Sequence, residues 1–227
     1  MKVAIFGDSY GVVLPEGNNT LSWVGIISDK FSVDNFSESS SSLYYSYRKF
    51  LESYKNYDKI IFLITNPGRI FLEKCNIRKH ISHYDLAKYY RDRAETHEDK
   101  LILEAAKNYY LYVMNEEYDQ CMHNLMVKNT KNLHPSILLI PCFQNSIPGQ
   151  HNNCLFDACK LDWDYYKLKN VNNYNDNRHS HMNEINNQLL AKEVKQWLDF
   201  GEFNLDSITW KLDTNRKLDF YFSREYI

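Results

Sequence analysis

A serine hydroxyl becomes a nucleophile near neutral pH when a base within hydrogen-bond reach takes its proton, and histidine is the usual base. This 227-residue chain offers such a pair in Ser9 and His181. Ser9 closes the run Lys2-Val3-Ala4-Ile5-Phe6-Gly7-Asp8-Ser9. Val3, Ile5 and Phe6 supply the β-branched and aromatic content of a short core strand, and Gly7 permits a sharp turn. The hydroxyl then stands at the C-terminal end of a strand, the edge at which open α/β sheets bind ligands. The competing reading is an ordinary Gly-Asp-Ser turn. Of eight histidines, His181 has the most informative place, directly before an amphipathic stretch that begins at Glu184 and for which Asn183 is a suitable N-cap. A loop residue at a helix entrance can be aimed at a strand edge. His179 competes with it, and each of the two, read alone, also suits a solvated loop.

The elements that must position these groups follow from apolar patterning. Segments 31–36, 59–65 and 136–142 resemble the first strand: each is short, apolar and closed by polar or turn residues. Continuous apolar runs imply strands covered on both faces. Leu21, Trp23, Val24 and Ile27 precede the second strand at helical spacing, and Leu43, Tyr47, Phe50, Leu51 and Tyr54 follow it. Strand and helix alternate, which predicts an α/β three-layer sandwich with a mostly parallel central sheet flanked by helices. Helices are further expected at about 84–96 and 99–128, within a helical insertion around 69–132, and at 184–198. Residues 143–180, rich in Asn, Asp and His, read as loop. The tail, with SITWKL and LDFYFS around DTNRK, reads as a β-hairpin. The expected organisation is one domain over 1–199 and a C-terminal extension over 200–227.

Over about residues 1–198 the chain resembles the SGNH hydrolases, the GDSL esterase and lipase superfamily. Gly7-Asp8-Ser9 after the first strand matches the block that opens that family, and His181-Met182-Asn183-Glu184 through Ala191 resembles its last block. The resemblance implies a flavodoxin-like sheet and acyl transfer, with Ser9 as nucleophile and His181 as base. It also implies an oxyanion hole formed by the N–H groups of Ser9 and Ser40 and the side-chain amide of Asn66. Ser40 stands where the family places glycine, and Asn66 lacks the usual glycine before it and aspartate after it; Asn66-Pro67-Gly68 reads equally well as a turn. The family's orienting Asp, three residues before the histidine, is here Arg178, so Asp176 is the candidate for that role. A Ser-His dyad and an impaired site are the other outcomes. Arg69, beside Asn66, is a candidate for binding a substrate carboxylate or sugar hydroxyl, with a local salt bridge as its alternative.

Composition limits the partners. A formal net charge of −2 gives no field that would draw in nucleic acid or an anionic membrane. No run approaches the roughly 18 apolar residues of a membrane-spanning helix, and the N-terminus lacks the pattern of a signal peptide, so a cytoplasmic protein is expected. Five scattered cysteines, an odd number, do not form a disulfide framework. Cys154, Cys159, His151, His179 and His181 match no compact zinc spacing, and the expected chemistry needs neither metal nor cofactor. Abundant Asn, Lys, Ile and Tyr suit an A/T-rich genome, a viral one included, which would place the protein in a host cytoplasm or a virion. The expected substrate is a small-molecule or carbohydrate ester, with O-acetylated carbohydrate first. The alternative is a catalytically degenerate binding or structural protein of the same fold that recognises glycans through its aromatic residues.

Overall fold

A computed structural model describes residues 1–13, 22–144, 146–147, 152–168 and 182–212. Its centre is a four-stranded parallel sheet in the order β2-β1-β3-β6, formed by β1 (Lys2–Phe6), β2 (Ser32–Asn35), β3 (Lys59–Ile64) and β6 (Ile137–Pro141). The strand order changes direction between β1 and β3. That makes their C-terminal ends the switch point at which doubly wound sheets open a crevice.

The apolar runs are continuous because each strand alternates between two covered faces. Val3, Ile5, Ile61, Leu63, Leu138 and Ile140 pack under α1 (Trp23–Ser28), α6 (Leu155–Leu168) and α7 (Glu184–Phe200). Ala4, Phe6, Ile60, Phe62, Ile64 and Leu139 pack on the other side under α2 (Leu43–Ser53) and α5 (Glu116–Leu133). The result is the α/β three-layer sandwich read from the sequence. Its helices start where short polar side chains accept an otherwise unpaired N–H. Ser22 accepts from Gly25, Ser42 from Tyr45, Thr96 from Asp99 and Asn183 from Asn186. Gly201, left-handed at φ 82°, ends α7.

Between β3 and α5 the chain builds a lobe with its own small core of Cys75, Ile81, Ala87, Ala94, Leu103 and Ala106. It contains an antiparallel ladder of β4 (Ile70–Phe71) and β5 (His80–Ile81), then α3 (Tyr84–Arg93) and α4 (His97–Asn108). The single helix expected over 99–128 is broken. After α4 a π-turn spans Tyr109–Val113, and Asn115 restarts the helix by accepting from Tyr118 N, with Glu116, Glu117 and Asp119 at the positive end of the new dipole. Tyr110 Oη lies within hydrogen-bond distance of the carbonyls of Gly68 (2.9 Å) and Ile81 (2.7 Å), which share its one proton, and this ties the break to the turn after β3.

One further expectation is corrected. Part of the segment read as loop over 143–180 is α6, because Leu155, Ala158 and Cys159 at helical spacing bury one stripe against the sheet. In the described part of the tail, Leu205–Ser207 is a 3₁₀ turn, and the residues from 208 to 212 are tied to side chains. Lys211 N donates to Asn186 Oδ1 (2.7 Å), while Asn153 Nδ2 donates to the carbonyls of Leu205 and Ile208. Leu205 and Ile208 thereby cover the α7 face of the core. The remainder of the expected hairpin, from 213 onward, lies outside the described residues.

Candidate functional site

Three loops leave the C-terminal edge of the sheet beside the switch point, and one buried carboxylate joins them. Asp8, fully buried, caps the short 3₁₀ turn Ser9–Gly11 by accepting from Tyr10 N at 3.2 Å. The same carboxylate accepts from Thr65 Oγ1 (2.9 Å) and Arg69 Nη1 (3.3 Å), both just beyond β3, and from Cys142 Sγ (3.5 Å), just beyond β6. Burial, followed by the neighbouring Asp8 charge, pushes the Cys142 thiol well above its ordinary value, so the sulfur keeps the proton it donates. The anion is thus met by one cation and three neutral donors, as a buried charge requires.

Ser9 opens the turn half-buried, and its carbonyl accepts from Val12 N at 3.3 Å. Among the described residues no hydrogen bond engages its hydroxyl. The turn is pressed against the sheet: a Cβ on Gly7 would stand 2.4 Å from Leu63 Cβ, and one on Gly11 would stand 2.2 Å from Ser37 Oγ. No other residue fits either position without displacing its neighbour.

The loop after β2 docks on this turn. Glu38 N and Ser41 Oγ both donate to the Gly7 carbonyl (3.1 and 2.8 Å), and Asn35 Nδ2 donates to the Gly11 carbonyl (2.7 Å). Within this loop Ser40 has φ 62°, the one positive φ outside glycine among the described residues. Left-handed backbone at a serine fits a position suited to glycine. A glycine would take this backbone angle without strain.

Asn66 follows β3 and is half-buried at the same edge. Gly68 takes φ 79°, the left-handed angle of a tight turn, and the methyl of Met114 would lie 2.9 Å from a Cβ there. The turn reading and the edge position both hold. Arg69 forms the local salt bridge: Nη1 meets Asp8 and the Ser41 carbonyl (3.4 Å), and the guanidinium lies 5.3 Å from the Phe143 ring centroid. Its side chain keeps 15% exposure. Phe143 also packs edge-on against Tyr10, and beside it opens a cavity of about 240 Å³ lined by Pro141, Gln144, Ile147, Asn153 and Cys154.

His181, Asp176, Arg178, His179 and His151 lie outside the described residues. The chain re-enters at Met182, which is buried in the same core cluster as Tyr10. The start of α7 is fixed beside the Ser9 turn through Trp23, whose backbone N–H donates to Asn187 Oδ1 (2.9 Å) and whose indole N–H donates to the Tyr10 carbonyl (2.7 Å). Asn183 and Asn186 anchor the same helix end by donating to the Lys211 carbonyl.

Sequence reasoning missed the carboxylate hub. Asp8 was legible only as part of a turn, and nothing local marks Thr65 or Cys142 as its partners. It also missed His80, almost fully buried, whose ring is held between the Ser42 N–H at Nδ1 (3.4 Å) and Glu38 Oε1 at Nε2 (3.2 Å). Among the described residues no group of three or more His, Cys, Asp or Glu could hold a metal ion, and no helix is long and apolar enough to cross a membrane. The chain matches no protein-family model, and no curated protein matches it significantly.

Proposed function

We propose that the protein is a serine esterase of the SGNH hydrolase type that cleaves a carboxylic ester, with O-acetylated carbohydrate as the first substrate class. The observation that carries this reading is the left-handed Ser40 in a loop hydrogen-bonded to the Gly7–Ser9 turn, at the same strand edge as Asn66. The two residues thus follow β2 and β3, the strands on either side of β1, whose C-terminal turn carries Ser9. Trp23, which joins Asn187 at the start of α7 to the Tyr10 carbonyl, supports a histidine at that helix entrance as the base.

In this mechanism Ser9 Oγ attacks the ester carbonyl carbon while His181 takes the hydroxyl proton. The carbonyl π electrons move onto oxygen, where the N–H groups of Ser9 and Ser40 and the Asn66 amide donate to the oxyanion. Collapse breaks the bond to the alcohol, which leaves with the proton from His181. Water, deprotonated by His181, then releases the acid and restores Ser9. Asp176 orients the imidazole, and Arg69 offers its exposed edge to a substrate hydroxyl or carboxylate.

A fluorophosphonate probe and p-nitrophenyl acetate test the proposal. Labelling and turnover that disappear in Ser9→Ala support the esterase. A folded wild-type chain that neither labels nor hydrolyses refutes it and favours the degenerate glycan-binding protein, for which Arg178 in the place of the family's aspartate argues.

A further inference from the structure

The left-handed conformation of Ser40 needs an explanation, because an L-residue with a Cβ disfavours it and nothing in a run of serines enforces it. The restraint comes from the lobe between β3 and α5. Arg78 Nη2 donates to Ser40 Oγ at 2.5 Å, a short charge-assisted bond. Arg78 is itself braced: its Nε donates to the His80 carbonyl (3.3 Å), and its guanidinium lies 5.6 Å from the ring centroid of Tyr90 on α3. The same lobe holds the loop at two more points. Ser42 N donates to His80 Nδ1, so the neutral ring carries its proton on Nε2 and donates that to Glu38. Phe71 stacks on the His80 ring at 5.2 Å, and Tyr45 closes its edge at 5.1 Å. Glu38, Ser40 and Ser42, alternate residues of one loop, are each bound to the segment from 78 to 80. Turning Ser40 out of the left-handed region would swing its Oγ away from Arg78.

We infer that the β4–β5 ladder is a clamp on the oxyanion loop and that Arg78 is a positioning residue, holding Ser40 Oγ so that the Ser40 N–H stays aimed at the reacting carbonyl. This inference rests on the esterase reading for its catalytic consequence. The clamp itself is a physical coupling between two side chains and can be measured without turnover.

The test compares wild type, Arg78→Met, Arg78→Lys, Ser40→Gly and the Arg78→Met/Ser40→Gly double variant in the full chain. It reads kcat and KM on p-nitrophenyl acetate together with urea unfolding midpoints. Arg78→Met is expected to lower kcat by about tenfold or more, approaching the about 10²–10³ that loss of an oxyanion donor costs, with KM changed less than about twofold. Glycine adopts the left-handed angle without help, so adding Ser40→Gly to Arg78→Met restores most of the lost kcat and of the lost midpoint. Arg78→Lys, which keeps a donor and a charge, falls between wild type and Arg78→Met. A folded Arg78→Met whose kcat loss the glycine does not recover overturns the clamp. Where Arg78→Met does not fold, refolding in the double variant supports the clamp and continued misfolding overturns it. A wild-type chain without labelling or turnover refutes the esterase alone. In that case recovery of the unfolding midpoint by glycine sustains the clamp, and simple additivity of the two midpoint shifts removes it.

Discussion

Removing the cation from the Asp8–Arg69 pair should cost the fold more than any surface charge would. Asp8 is fully buried, the Arg69 side chain is 15% exposed, and the two meet at 3.3 Å. At an effective dielectric of about 20 their attraction is about 5 kcal/mol. Arginine's partial exposure and the solvation it recovers on release reduce that figure, whereas Arg69→Met strands the carboxylate with only three neutral donors. Breaking a buried pair from one side typically costs about 3–5 kcal/mol, and the exposure of Arg69 places this case near about 3 kcal/mol. For a chain of this size that corresponds to a melting temperature roughly 6–12 °C lower. Asp8→Asn in the same background removes the stranded charge, so the double variant should be more stable than Arg69→Met alone. Urea unfolding of wild type, both single variants and the double variant completes a thermodynamic cycle. An Arg69→Met loss below about 1 kcal/mol, or strictly additive single effects, would refute the view that this pair joins the β1 and β3 loops.

Two more outcomes follow from the same edge of the sheet. Gly7→Ala should destabilise by about 1–3 kcal/mol or more, because its Cβ would lie 2.4 Å from Leu63 Cβ and 2.9 Å from Leu63 Cγ; a thermal midpoint equal to wild type would contradict this packing. His80 is held below the ordinary histidine range chiefly by burial and further by Arg78 and Arg69, against the opposing pull of Glu38. The unfolded ring titrates near about 6.5, so the unfolded state binds the extra proton first, and stability present above that pH is lost as pH falls below it. His123, lowered by burial against the upward pull of its bond to the Ser146 carbonyl, acts in the same direction. His80→Gln should therefore flatten, without abolishing, the decline of unfolding free energy below about pH 6.5, and an unchanged slope would show that His80 is not buried as a neutral ring.

The sheet was legible because its signal is local. Val3-Ala4-Ile5-Phe6 and Ile60-Ile61-Phe62-Leu63-Ile64 are apolar on consecutive positions, a pattern that makes sense for a strand only when both faces are covered. Asn183 was legible as the cap of α7 because capping uses atoms only a few residues apart, and Ser9 was placed at a strand end by the same kind of short-range reasoning. Helix α6 was hidden because the Asn-, Asp- and His-rich sequence on both sides of it masked the helical spacing of Leu155, Ala158 and Cys159, which the sheet buries. The break between α4 and α5 depends in turn on Tyr110 reaching carbonyls at positions 68 and 81.

Around the candidate site, sequence alone determined residue types at strand ends: a serine after β1, serines after β2, and an asparagine and an arginine after β3. Tertiary structure decided what those residues do to one another. Asp8 draws its donors from positions 57, 61 and 134 residues away, and Ser40 takes a glycine-like backbone while its side chain is held from 38 residues away. Capping and strand patterning are set by neighbours along the chain, whereas a buried charge and a strained backbone angle are tolerated only when partners remote in sequence arrive to satisfy them.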